Sequence, residues 1–337
     1  MTAAPGRGPW IRRLTPDPYI VAILAMVALA SLAPVRGGAA VQFGWLTKAA
    51  IALLFFLHGA KLSRAAVLGA LGHWRLHLTI LAATFLLFPS IGLAVRALPP
   101  SILPTSLAAG VLFLCCLPST VQSSIAFTSV ARGNVAAAVC AASASNLLGI
   151  VLTPIMVAAT LGVHGSGSPV GAFEAVIVQL VLPFAAGQVA TRWIGGWVAR
   201  HRRLVGWTDR GSILLIVYGA FSAAVVKGIW SQVSGPQIAV LVVVCCVVLA
   251  LVLIATAIGA RALGFSRADE IAIVFCGSKK SLASGIPMAT ILFPAASVGL
   301  IVLPLMLFHQ LQLMACAVIA QRYAARTAER EPTLAVL

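Results

Sequence analysis

The sequence predicts an all-α polytopic membrane protein of ten transmembrane helices, set out as two five-helix repeats of opposite orientation. Three observations predict it. The 337 residues are 61% hydrophobic and only 9% charged, with a mean hydropathy of +1.06, a balance that soluble domains do not sustain. Ten apolar runs of membrane-spanning length follow one another, at 18–34, 43–62, 76–97, 105–130, 134–161, 171–192, 210–229, 236–260, 269–293 and 297–321. Basic residues gather at alternate ends of those runs. Arg7, Arg12, Arg13, Lys61, Arg64, Arg75, Arg132, Arg192, Arg200, Arg202, Arg203, Arg210, Arg261, Arg267, Arg322, Arg326 and Arg330 fall on one side, against Arg36, Lys48, Arg96 and Lys227 on the other. By the positive-inside rule both termini are cytoplasmic, and the few, short loops suit a bacterial inner membrane.

Residues 1–17 form a cytoplasmic tail. Arg7, Arg12 and Arg13 ahead of an apolar run that ends in Ala30-Ser31-Leu32-Ala33 have the look of a signal peptide. An uncleaved first span is the better reading, because removing it would spoil the even count. Spans 1–5 make a first repeat over 18–163, and spans 6–10 a second over 170–321. An odd number of spans in each half forces the halves into opposite orientations. Residues 322–337 are a second cytoplasmic tail. Connections are short and marked by Gly and Pro, as at Arg36-Gly37-Gly38, Pro99-Pro100-Ser101 and Gly165-Ser166-Gly167-Ser168-Pro169.

The fourth span of each half is interrupted. In span 9 the stretch Phe275-Cys276-Gly277-Ser278-Lys279-Lys280-Ser281-Leu282-Ala283-Ser284-Gly285-Ile286-Pro287 puts two lysines, three serines, two glycines and a proline at mid-membrane depth. Each lysine there costs about 2.5–3.5 kcal/mol on insertion scales. Non-helical backbone survives at that depth only when buried in protein or lining a cavity. Span 4 carries Pro118 followed by Ser119, Thr120, Gln122, Ser123 and Ser124. Paired interruptions of this kind point to a binding site near the midplane.

The candidate binding residues are therefore Ser119, Thr120, Gln122, Ser123, Ser124, Ser143, Asn146, Ser278, Lys279, Lys280, Ser281, His309 and Gln312. Hydroxyls and amides coordinate cations or hydrogen-bond a substrate, and they also tie membrane helices together. For Ser143, Asn146 and Thr153 of span 5 the two readings weigh equally, as they do for His309 and Gln312 of span 10. Gln179, Pro183 and Gln188 of span 6 read as structural. His58, near the cytoplasmic end of span 2, reads as a snorkelling or loop-contacting group. Lys279 and Lys280 read as functional, one of them in a cavity and the other packed on carbonyls. A desolvated lysine can also exchange protons.

Several classes are excluded. The net charge of +16 sits in short loops rather than in a nucleic-acid-binding domain. Cys115, Cys116, Cys140, Cys245, Cys246, Cys276 and Cys316 all lie inside apolar runs and read as small buried side chains. The acids Asp17, Glu174, Asp209, Asp269, Glu270, Glu329 and Glu331 lie at span ends or in the tail, so the lysines have no evident carboxylate partner in the membrane. No nucleophile–base pair, carboxylate pair or metal-spaced histidines argue for an enzyme, and no cofactor is expected.

Leu117-Pro118-Ser119-Thr120, Ala131-Arg132-Gly133-Asn134-Val135 and Leu152-Thr153-Pro154 resemble the helix 4–5 region of the bile acid:sodium symporter superfamily. The chain is similar to its SBF-like branch in Gln179-Leu180-Val181-Leu182-Pro183-Phe184 with Gly187-Gln188, in Asp209-Arg210-Gly211-Ser212-Ile213-Leu214-Leu215, in Phe275-Cys276-Gly277-Ser278-Lys279-Lys280-Ser281-Leu282-Ala283, and in Leu303-Pro304-Leu305-Met306 with Phe308-His309-Gln310-Leu311-Gln312. The resemblance implies a core domain of helices 3–5 and 8–10, a panel domain of the rest, and broken helices 4 and 9 that cross near the midplane. It further implies movement of core against panel and the carriage of small organic anions with sodium. Sodium ligands would come from Ser123, Ser124, Ser143 and Asn146. The family's helix-9 glutamate has no counterpart; its place falls near Phe275, and a lysine stands close to the family's glutamine. An ammonium group in a cation site repels sodium and can replace it.

Three readings follow. The first is a secondary active transporter of an organic anion with Lys279 or Lys280 as the cationic element, coupled to a proton (H+) or to no ion. The second is a sodium symporter whose site is independent of the lysines. The third is a membrane regulator or sensor without net transport.

Overall fold

Proline and glycine decide where the helices of this chain stop. The computed structural model describes residues 18–61, 73–162, 174, 177–228, 231 and 233–330, and among these the chain is all-helical. The N-terminal tail, the 163–170 connection, the start of the sixth span and the end of the C-terminal tail lie outside the described residues. Twelve helical segments follow in order: α1 Pro18–Leu32, α2 Gly37–Lys61, α3 Trp74–Arg96, α4 Thr105–Cys116, α5 Gln122–Val130, α6 Val135–Leu161, α7 Ile177–Arg200, α8 Arg202–Val226, α9 Gly235–Ala262, α10 Arg267–Gly277, α11 Leu282–Leu292 and α12 Ala295–Arg330. Seven of them (α2, α3, α6, α7, α8, α9 and α12) are long and apolar enough to cross a membrane. The chain is an integral, multi-pass membrane protein.

Local chemistry sets the ends. Asn134 caps α6 by accepting from Ala137 N–H, and Ser266 and Ser281 cap α10 and α11 in the same way. Gly162 closes α6 at φ +60°, a left-handed conformation that favours glycine. Two spans contain a π-turn, at Ala83–Leu87 in α3 and Ile177–Val181 in α7; each is followed closely by a proline, Pro89 or Pro183.

The helices pack in two groups. α1 lies along α8, and α2 along α7 and α8. Gly187 of α7 and Gly59 of α2 permit that approach: a Cβ on either would run into a backbone carbonyl of the other helix, Phe56 O or Phe184 O. α3–α6 and α9–α12 pack among themselves, and α8 joins the groups by touching α11 and α12. The main apolar core runs through both groups, with Phe88 edge-on to Phe308 at 6.0 Å and Phe113 edge-on to Phe293 at 5.2 Å.

One boundary differs from expectation in a way that matters. The seventh run was expected to open at 210, yet α8 opens at Arg202. Asp209 and Arg210 are therefore helical residues two turns in. Asp209 stays there at 7% exposure because Lys61 of α2 pairs with it.

Candidate functional site

Pro118 has no N–H, so α4 cannot continue through it. Leu117 N–H falls back on Leu114 O at 3.3 Å, and residues 117–121 run on without helical structure before α5 begins. The second interruption, residues 278–281, lies between α10 and α11. The two interruptions bind each other: Ser281 N–H donates to Pro118 O at 2.9 Å. Ser119 Oγ donates to Cys276 O at 2.6 Å and Ser124 Oγ to Phe275 O at 3.0 Å. Each hydroxyl meets a carbonyl that α10 leaves open at its C-terminal end.

α6 braces this crossing. Ser145 Oγ accepts from Ser119 N–H (3.0 Å), Thr153 Oγ1 donates to Cys116 O (2.8 Å), and Asn146 Nδ2 donates to Ser119 O (2.7 Å). Asn146 Oδ1 in turn accepts from Ser284 Oγ of α11 at 2.9 Å, so one amide fastens both interrupted spans. Gly149 makes room for the break, since a Cβ there would lie 2.6 Å from Pro118 Cβ. From α12, Gln312 Oε1 accepts Lys280 N–H (2.9 Å), and its Nε2 donates to Lys280 O (3.0 Å) and to His309 Nδ1 (2.8 Å). Backbone groups freed by the breaks thus find side-chain partners, as the membrane interior requires.

Both lysines are wholly buried, at 0% exposure. Lys280 Nζ donates to Thr84 O (2.9 Å), Cys115 O (2.7 Å) and Leu117 O (2.6 Å), with the Phe88 ring centroid 4.1 Å away. Lys279 Nζ donates to Ser123 O (2.9 Å) and lies 3.9 Å from the Phe127 centroid and 5.4 Å from that of Phe275. For Lys280, carbonyl dipoles at the C-terminal end of α4 stand where a carboxylate partner would; Lys279 relies on one carbonyl in the first turn of α5 and on aromatic faces.

On the other side of the crossing is a cavity of about 330 Å³. Its wall includes Thr120, Val121, Gln122 and Ser123 at the start of α5, and Ser281, Leu282, Ala283 and Ser284 at the start of α11. α6 adds Ser143 and Asn146, and α12 adds His309. Across from them stand Tyr19 of α1, Phe55, His58 and Lys61 of α2, and Asp209 and Arg210 of α8. The first N–H groups of α5 and α11 have no acceptor within their helices, and the positive ends of both helix dipoles meet at this wall.

The structure divides the residues singled out from sequence into two sets. Thr120, Gln122, Ser123, Ser143, Asn146, Ser281 and His309 line the cavity. Ser119, Ser124, Ser278, Lys279, Lys280 and Gln312 are buried away from it; Ser278 Oγ donates to Val274 O of its own helix. Neither lysine lines this cavity: Lys280 is drawn to carbonyls at the C-terminal end of α4 and in the π-turn of α3, and Lys279 to Ser123 O in the first turn of α5 and to two aromatic faces. Sequence reasoning missed Lys61, Asp209 and Arg210 and set His58 aside. Opposite charges at the basic ends of two spans, Lys61 and Asp209, were the available signal. Ser284, three residues after Ser281 on the same helical face, was another.

Comparison with known proteins fits this arrangement. The sequence profile of the SBF-like CPA transporter family matches residues 17–325. An uncharacterised protein of Pseudomonas aeruginosa is 56% identical over 96% of this chain and 97% of its own. YfeH of Escherichia coli, provisionally named a symporter, is 54% identical over 92% of this chain and 94% of its own. Sodium/bile acid cotransporter 7-A of Xenopus laevis is 30% identical over 90% of each chain.

Proposed function

The chain belongs to the SBF-like CPA transporter family, and from that premise we propose that it is a secondary active transporter carrying a small organic anion across the membrane by alternating access. One observation supports the reading most: the cavity wall is built from two half-helix N-termini with Thr120, Gln122, Ser123, Ser281 and Ser284 beside them. Such ends bind carboxylate and phosphate oxygens. Arg210 stands across the cavity, at the basic, cytoplasmic end of its span, and draws an anion in from that side, while Lys61 is held by Asp209. His309 and Asn146 complete the lining.

In this reading the chain is two inverted five-helix repeats, 18–163 and 170–321, between cytoplasmic tails, in an inner membrane. α4–α5 and α10–α11 are the broken fourth and ninth spans. α1, α2, α7 and α8 form the panel, and the remaining helices form the core that moves against it. Lys279 and Lys280 are the cationic element of the crossing. Lys280 holds the C-terminal end of α4 against α3, Lys279 holds the first turn of α5, and neither touches the substrate. The protein acts by binding and movement, without covalent chemistry.

Charge displacement on solid-supported membranes tests this. Proteoliposomes of the purified protein receive concentration jumps of choline salts of carboxylates, from acetate to taurocholate. A saturable current with at least one anion, absent from protein-free liposomes, is expected. Silence across the series, with correctly folded protein, overturns the reading.

A second reading is sodium symport, favoured by the names of the cotransporter relatives and by Ser123, Ser143 and Asn146 lying together on the cavity wall. It requires the anion current to vanish in choline medium and return with sodium.

A further inference from the structure

Three backbone carbonyls without a backbone donor converge behind the crossing. In α3, Phe88 N–H bonds Ala83 O in the π-turn. The next donor in that register would be Pro89, which has no N–H, so Thr84 O is left open. In α4, Pro118 ends the helix. Ser119 N–H, the donor Cys115 O would have in an unbroken helix, turns to Ser145 Oγ instead. Leu117 O is open on the same side. The three oxygens surround Lys280 Nζ at 2.6–2.9 Å, and the face of Phe88 covers a fourth direction.

Among the described residues no carboxylate takes part. Carbonyl oxygens with one aromatic face are ligands suited to a monovalent cation that has shed its water. Three acceptors also need three donors. An ammonium has three N–H groups, whereas a neutral amine has two and a lone pair that would face a carbonyl oxygen. The three contacts thus match the three donors of an ammonium. Lys279 is held differently, by one carbonyl and two aromatic faces.

The geometry points to a monovalent-cation seat made by Thr84 O, Cys115 O, Leu117 O and the Phe88 ring, which Lys280 keeps filled from within the chain. The wild-type protein then binds no sodium at the crossing, and a chain without Lys280 needs a free cation there. This deepens the reading of the lysines given above, but it is tested by melting temperature rather than by flux, so the two can fail separately.

The test compares wild type, Lys280→Ala and Lys280→Met in detergent at constant ionic strength. Choline chloride is replaced stepwise by sodium, potassium or methylammonium chloride. Only a ligand of the folded state raises the melting temperature saturably. Wild type should melt alike in choline and sodium. Lys280→Ala, which opens the seat, should melt several degrees lower in choline and recover saturably with methylammonium or an alkali cation. Lys280→Met, which fills the space without charge, should melt low and stay unresponsive. Recovery of Lys280→Met equal to that of Lys280→Ala, or a Lys280→Ala variant indifferent to every cation, overturns the proposal. Should neither variant fold in choline, purification of Lys280→Ala in sodium, potassium or methylammonium chloride decides: folded protein on size exclusion with a cation and not with choline upholds the proposal, and failure in every salt overturns it.

Discussion

On one face of the crossing, Lys280 Nζ meets three carbonyl oxygens within 2.9 Å. On the other, the first turns of α5 and α11 look into a cavity of about 330 Å³. Both faces arise at the same two helix breaks, with Thr84 O added to the first by the π-turn of α3. A broken helix exposes a C-terminal end rich in carbonyls and an N-terminal end rich in N–H groups. This chain fills the first with its own side chains and leaves the second open. Charge inside a membrane protein can thus serve structure on one side of a break and leave binding to the other.

Four changes would break or sharpen that contrast, in falling order of effect. Lys280→Met leaves three buried carbonyls unmet, each worth about 1–3 kcal/mol; a large drop in melting temperature or loss of folded protein on size exclusion is expected. Lys279→Met removes one hydrogen bond and two cation–π contacts, together about 2–4 kcal/mol. Its melting temperature should fall clearly less than that of Lys280→Met, and equal losses would erase the distinction between the two lysines. Gln122→Glu places a negative charge at the cavity end of α5. Anion current should fall about tenfold or more, while stability holds or gains about 0.3–1 kcal/mol from the helix dipole. Ser284→Ala removes two hydrogen bonds, to Asn146 Oδ1 and from Ser281 Oγ, and should cost about 1–2 kcal/mol, read as a small shift in melting temperature.

Much of this was legible in the sequence. Seven of the apolar runs hold helices long and apolar enough to cross a membrane, and Pro118 and Gly277-Ser278 mark both interruptions, because a missing N–H or a missing side chain acts locally. Family membership was readable from motifs spread along the chain. The division of the site was not. Whether Lys280 or Gln122 faces open space depends on which end of a half-helix lies on which side of the crossing, and that is set by contacts with α3 and α6 far away in sequence. Thr84, released by Pro89 and the π-turn, gave no polar signal at all, since a backbone carbonyl is invisible in composition. Asp209 and Arg210 were read as a span end because charges normally stop an apolar run; Lys61, 148 positions away, makes the helix tolerable there.

The claim that matters most is that the open face takes an anion. The direct measurement is the melting temperature of purified wild type and Gln122→Glu, titrated with choline salts of carboxylates against choline chloride. Saturable stabilisation of wild type by at least one carboxylate, lost in Gln122→Glu, is the predicted result. A carboxylate that stabilises both proteins equally, or a complete series that stabilises neither, would contradict it.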